Sequence, residues 1–205
     1  MTKKSLLEVV RKIEKDEFPE FPEHGIISFP GTEMYFSPSH HVSCGLVDEN
    51  VIKNLTEHGK TALTLGCGNA YLERLLVKRF GVLPSQFGLV DKYAQNMPAE
   101  FKSYSFDMTE QWPSLGRTYD YVFIPESFTC LNRYIRTGMG DSSEIAACYD
   151  LLNQALSVLN ISGQIRGDGH CYGLEELKAL EHRMQNSPIP NLFSGTRKLI
   201  VVTKT

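Results

Sequence analysis

The sequence predicts an α/β protein, a doubly wound, mostly parallel sheet with helices on both faces and a C-terminal antiparallel hairpin. Short apolar, partly β-branched runs alternate with stretches whose apolar residues recur at helical spacing, the pattern of parallel strands joined by crossover helices. One junction, Gly66-Cys67-Gly68, is a tight glycine bend between a strand and a helix. The close of the chain, NLFSGTRKLIVVT, reads as a short strand, a Ser194-Gly195 turn and a final strand over residues 199–203.

The elements follow in order. Residues 5–15 place Leu6, Val9, Val10 and Ile13 on one helical face with Lys and Glu opposite, so this helix must lie on something apolar. From residue 17 to 41 the pattern dissolves into Phe, Pro and Gly without a lasting period. Such a stretch is either a cover over a site or an irregular segment packed by its own aromatic side chains. His40, His41 and Cys44 stand near its end, but no second cluster completes a ligand set, and no metal site is expected. Residues 1–46 are therefore read as an N-terminal helix and aromatic loop cap, and residues 47–205 as one α/β domain. Asp48 is the N-cap of a helix over residues 49–58 that Gly59 ends. Residues 61–65 form a strand, the bend follows, and Leu72, Leu75, Leu76 and Phe80 mark a helix closed by Gly81. A second strand over residues 86–90 ends in Asp91, parallel to the first with a right-handed crossover. Residues 102–106 give a third strand, followed by Asp107 and Met108. Residues 119–124 (YDYVFI), bounded by Gly116 and Pro125, give a fourth with Glu126 past its end. A helix from residue 142 or 143 to 159, a fifth strand over residues 161–166 with His170 beyond it, and a helix over residues 173–184 lead to the hairpin.

The chemistry gathers at strand ends. Ligands of open α/β sheets bind at the carboxyl edge. Glycine is needed at such a bend because a Cβ would hold a ligand off the backbone, and the helix that follows presents unpaired N–H groups. Residues 66–71 are thus the first candidate site. Asp91, 25 residues after Gly66, stands where a carboxylate can accept both hydroxyls of a ribose; its alternative role is to cap a short helix over residues 92–97. A dinucleotide bend would want glycine at the position of Tyr71, so a nucleotide-dependent oxidoreductase is the weaker reading.

Composition bounds the partners. The 205 residues carry a net charge of −3, which gives no basic field for nucleic acid, although local contact is not excluded. Hydrophobic content of 41% and charged content of 22% are those of a globular domain. No apolar run reaches membrane-spanning length, and the charged N-terminus lacks a signal-peptide core, so a cytoplasmic location is the default expectation. The five cysteines contain no CxxC pair and are read as reduced and structural.

Over about residues 47–205 the order of elements resembles the class I S-adenosylmethionine-dependent methyltransferases, a Rossmann-like family. Leu65-Gly66-Cys67-Gly68-Asn69-Ala70 resembles the family's glycine motif, Asp91 its ribose-binding acid and Asp107-Met108 its adenine-recognising pair. Tyr119-Asp120-Tyr121-Val122 is similar to its fourth strand, residues 155–164 (ALSVLNISGQ) to the helix, turn and fifth strand, and the terminal hairpin to its antiparallel ending. The resemblance implies S-adenosylmethionine as cofactor, held by Thr64, Gly66, Cys67, Gly68, Asn69, Tyr71, Asp91, Lys92, Asp107 and Met108. The aromatic N-terminal segment favours a small or planar acceptor, or a peptide, beneath it. Glu126 and His170 are the candidate catalytic residues, with Tyr134 near the mouth and Arg133 and Arg136 able to clamp an acidic acceptor. No Asn-Pro-Pro-Tyr or Asp-Pro-Pro-Tyr stretch follows the fourth strand, so bases of nucleic acid are disfavoured as acceptors. Two positions depart from the pattern. Thr64 stands where the family has an acid, which lowers cofactor affinity by about 1–3 kcal/mol unless another carboxylate serves. Ile161-Ser162-Gly163 replaces Pro-Gly-Gly before the fifth strand. A relative that keeps the fold and binds without catalysing is the alternative.

Overall fold

The structure, a computed structural model, describes residues 3–17, 26–28, 34–92, 97–125, 141–168, 172–196 and 198–205. Helix α1 (Lys3–Glu17) buries Leu6 and Val10, while Val9, expected on the same face, lies on its flank and is 40% exposed. Its C-terminal Glu17 pairs with Lys78 at 3.1 Å and with Arg79. Strand β1 (Ile26–Ser28) pairs antiparallel with β2 (Met34–Phe36), Ile26 opposite Phe36. Helix α2 (Pro38–Cys44) follows, inside the stretch whose sequence shows no period. Seven residues are under two turns, too few to display periodicity, but the caps were legible. Ser37 accepts the His40 N–H at 3.3 Å, Pro38 occupies the first turn, where a missing N–H costs nothing, and Gly45 ends the helix at φ 91°.

Helix α3 (Glu49–Glu57) starts as expected on Asp48, whose Oδ1 accepts the Val51 N–H at 2.9 Å. The remaining elements are β3 (Ala62–Leu65), α4 (Tyr71–Phe80), β4 (Phe87–Asp91), β5 (Lys102–Ser105), β6 (Tyr119–Ile124), α5 (Asp141–Ser157), β7 (Leu159–Asp168), α6 (Leu174–Gln185), β8 (Asn191–Gly195) and β9 (Leu199–Lys204). They build a seven-stranded sheet in the order β5-β4-β3-β6-β7-β9-β8, parallel from β5 through β7, with β9 inserted antiparallel between β7 and β8. Counted from β3, that order is 3-2-1-4-5-7-6. The doubly wound sheet with an antiparallel C-terminal hairpin is therefore as the sequence predicts.

Two boundaries differ. Strand β7 begins at Leu159, and its register against β6 skips from Leu159 opposite Tyr119 to Gln164 opposite Tyr121. The intervening Ser162 is left-handed at φ 63°, and a Cβ on Gly163 would stand 2.9 Å from the Asn160 carbonyl oxygen and 3.0 Å from that of Asp120. Ile161-Ser162-Gly163 is thus a bulge in which only the glycine has no substitute. At the C-terminus β8 runs through Ser194 and Gly195, and the reversal falls after them, where Thr196 donates its N–H to the Leu199 carbonyl at 2.8 Å.

Side chains alternate across the sheet, so β3 sends Leu63 and Leu65 into the core beneath α5 and α6, and Ala62 into the core beneath α3 and α4. The second core also receives Leu6 and Val10 of α1 and Val42 of α2, which joins the N-terminal helices to the domain. Arg166 of β7 fastens them by polar contacts. Its guanidinium donates to the Leu46 carbonyl at 3.0 Å and the Gly45 carbonyl at 2.7 Å, and pairs with Asp48 at 2.6 Å.

His41 of α2 is a buried titratable group in this seam. Burial, reinforced by His40 and opposed by Asp168, pushes its pKa down to about 3. Because the folded value lies below the ordinary 6.5, the unfolded chain takes the proton first. This group's stability is complete above that value and is lost as pH falls toward the folded pKa, by about 1.4 kcal/mol per pH unit. Thermal melts across this window should show the wild type losing stability on acidification more steeply than His41→Phe; parallel curves would contradict the assignment.

Candidate functional site at the carboxyl edge of the sheet

Beyond Leu65 the chain turns through Gly66 at φ 66°, Gly68 at φ 50° and Ala70 at φ 54°. Three left-handed residues in five explain both glycines; Ala70, wholly buried, holds the third such position against its own Cβ. The bend is stapled to β4. Gly66 and Cys67 donate their N–H groups to the Val90 carbonyl at 2.8 and 3.3 Å, and the Gly68 N–H donates to Asp91 Oδ2 at 2.9 Å. Helix α4 opens at Tyr71 with no side-chain cap, so its first N–H groups face the bend. Asn69 donates its Nδ2–H to the Tyr71 hydroxyl at 3.4 Å. The structure therefore brings together the glycine bend and Asp91, placed 25 residues apart in the sequence.

Thr64 lies beneath the bend and is 1% exposed. Its hydroxyl donates to Glu73 Oε1 at 2.5 Å, and Glu73 is itself 1% exposed. Burial raises the Glu73 pKa, while the Thr64 hydroxyl and its own backbone N–H pull it back. A carboxylate thus occupies the space under the bend after all, sent from the first turn of α4. Sequence reasoning missed it because the partners sit on different elements, although Glu73 stands three positions before Leu76 on the inward stripe. Cys67 is no nucleophile, since burial, then Glu73 and Asp91, push its thiol above the ordinary range.

Lys92 and Asp107 join the ends of β4 and β5 at 3.0 Å. Burial disfavours the ionised Asp107, but the hydroxyl and N–H of Thr109 and the Lys92 ammonium outweigh it and hold the carboxyl below its usual range. The Met108 carbonyl accepts the Trp112 indole N–H at 2.9 Å, fixing this loop to the core.

On the other side of β3, two strands away, Asp168 ends β7 and is 3% exposed. His40 of α2 points Nε2 at its carboxylate from 3.6 Å, within ion-pair reach. Helix α2 also packs against α4, the helix that follows the bend. Glu126 and His170, with Arg133, Tyr134 and Arg136, lie outside the described residues. A cleft of about 540 Å³ lined by residues 111–118 and the end of α5 opens at the amino ends of β6 and β7, away from this edge.

The donor set is chemically compatible with S-adenosylmethionine: a glycine bend, a carboxylate on the adjacent strand that could accept from two hydroxyls, and a buried carboxyl group beneath the bend. No protein-family model matches the sequence, and no curated protein sequence aligns with it. Solved structures do align. An amino pentose methyltransferase from Micromonospora echinaspora with bound S-adenosylmethionine superposes with a TM-score of 0.52 at 15% identity, over 85% of this chain and 93% of its own. A methyltransferase from Pyrococcus furiosus gives 0.52 at 13% identity, over 98% and 95%. The plantazolicin methyltransferase BpumL gives 0.54 at 10% identity, over 97% and 89%. With the strand order and the hairpin, these likenesses show that the chain has the fold of the class I S-adenosylmethionine-dependent methyltransferases.

Proposed function

We propose that the protein binds S-adenosylmethionine at its glycine bend and transfers the methyl group to a small-molecule or peptide acceptor. The observation that supports this reading is the hydrogen bond from the Gly68 N–H to Asp91, which ties a carboxylate at the end of β4 to the glycine bend, the pairing a ribose site needs. In this reading Gly66, Gly68, Asn69 and Tyr71 border the methionine part, Asp91 takes the ribose, and Asp107 and Met108 border the adenine. Lys92 braces Asp107, while Thr64 and Cys67 shape the bend from within. When bound, the cofactor supplies an electrophilic methyl carbon with its leaving group built in, so the chain's work is to orient the acceptor, exclude water and take up a proton. Residues 1–46 serve as the cap of residues 47–205. In this reading His40, whose Nε2 lies 3.6 Å from the Asp168 carboxylate, receives that proton, which suits an acceptor amine or hydroxyl. Two neighbours in fold are an amino pentose methyltransferase and a sugar N-methyltransferase, which makes amino sugars the first acceptors to try.

The test is a methyl-labelled cofactor offered with amino sugars and short peptides. Label should pass to at least one of them, and His40→Gln should slow the transfer by about 10²-fold or more while leaving cofactor affinity intact. Wild-type protein that binds neither the cofactor nor its demethylated product would end this reading. Binding without transfer would mark a relative that has kept only the pocket.

A further inference from the structure

Glu73 is a carboxyl group only 1% exposed beneath the strand-to-helix bend, and among the described residues no cation pairs with it. Burial, the Thr64 hydroxyl and its own N–H set its protonation, and among the described residues the titratable group coupled to it is Cys67 on the bend, beyond which stands Asp91. Carboxylates are seldom left wholly buried without a positive partner, because desolvation disfavours the ion. The 2.5 Å hydrogen bond from Thr64 supports the ionised form but supplies no charge. A cation lying over the bend would supply it, and the low dielectric under the bend would make that charge felt.

We propose that Glu73 is the counter-charge of the cofactor pocket, held on the Thr64 hydroxyl beneath the Gly66–Gly68 bend, and that its ionisation is coupled to the positive charge of a bound sulfonium. The inference rests on the reading of the bend as an S-adenosylmethionine site. It adds that the site distinguishes the cofactor from its product by charge, and that binding releases a proton. The step balances simply: the Glu73 O–H bond breaks, the electron pair stays on the carboxylate, and the proton leaves to water.

Isothermal titration with S-adenosylmethionine and with S-adenosylhomocysteine tests this, in buffers of different ionisation enthalpy. The sulfonium ligand should bind with a proton release that the neutral thioether lacks, and its affinity should rise with pH until Glu73 ionises unaided. Glu73→Gln keeps an oxygen for Thr64. It should abolish the extra release and weaken the sulfonium ligand by about tenfold, while the thioether stays within about twofold. Thr64→Asp in the Glu73→Gln background returns the charge from the strand and should restore the preference for the sulfonium. Equal weakening of both ligands, or the same proton count in Glu73→Gln, overturns the assignment with the site intact. Failure of both ligands to bind wild-type protein removes the site itself.

Discussion

Replacing Asp91 by alanine is expected to remove binding of S-adenosylmethionine and of its demethylated product to the limit of a melting assay. Two losses combine. The ribose hydroxyls lose charge-assisted hydrogen bonds worth about 1.5–3 kcal/mol each, which together correspond to roughly 10²-fold to 10⁴-fold in affinity. The Gly68 N–H, which donates to Asp91 Oδ2 at 2.9 Å, loses its acceptor, so the bend itself is less well held. A ligand at a hundred times its dissociation constant stabilises the folded state by about 2.7 kcal/mol, and this shift should be present in the wild type and absent in Asp91→Ala. Asp91→Asn separates the two losses. Its remaining carbonyl oxygen still accepts from Gly68 while the charge is gone, so its affinity should fall between the other two. Were Asp91→Ala to bind within about threefold of wild type, Asp91 would be a structural staple for the bend and nothing more.

The parts of this pocket that sequence could show are those written by local rules. The bend was legible because only glycine takes φ values such as those of Gly66 and Gly68 without strain, and Asp91 because it ends an apolar run. The strand order followed from element alternation and the terminal hairpin. What stayed hidden is made by residues far apart in the chain. The Thr64 position, lacking its acid, suggested a weakened site, yet Glu73 fills the space from a helix that any periodicity reading treats on its own. His40 and Asp168 are 128 residues apart and meet only when α2 lies along the sheet. Helix α2 was lost because seven residues carry no period, and its caps are a subtler signal than the surrounding Phe and Pro.

The seam that hangs α2 from the sheet gives the second large effect, because one side chain, Arg166, reaches three polar partners across it. Arg166 is 8% exposed, and Arg166→Met keeps much of its length while removing every donor. The Gly45 and Leu46 carbonyls then face the seam without the guanidinium, and Asp48 keeps its place as N-cap of α3 but loses the cation at 2.6 Å. Breaking a fully buried pair costs about 3–5 kcal/mol; Asp48 is 36% exposed and can recover solvation, so the lower end, about 3 kcal/mol, is expected here. For a domain of this size that is a fall of roughly 6–12 °C in melting temperature. On the proposed reading the consequence extends to methyl transfer, since α2 carries His40. In Arg166→Met the amides of α2 should exchange faster than those of α4, and methyl transfer should fall while affinity for the demethylated cofactor, set at the opposite side of β3, holds. A double-mutant cycle with Asp48→Asn should show a coupling of at least about 1 kcal/mol. If Arg166→Met instead melts within about 2 °C of wild type with α2 amides unchanged, the seam is held by Leu6, Val10 and Val42 alone, and His40 owes its position to apolar packing.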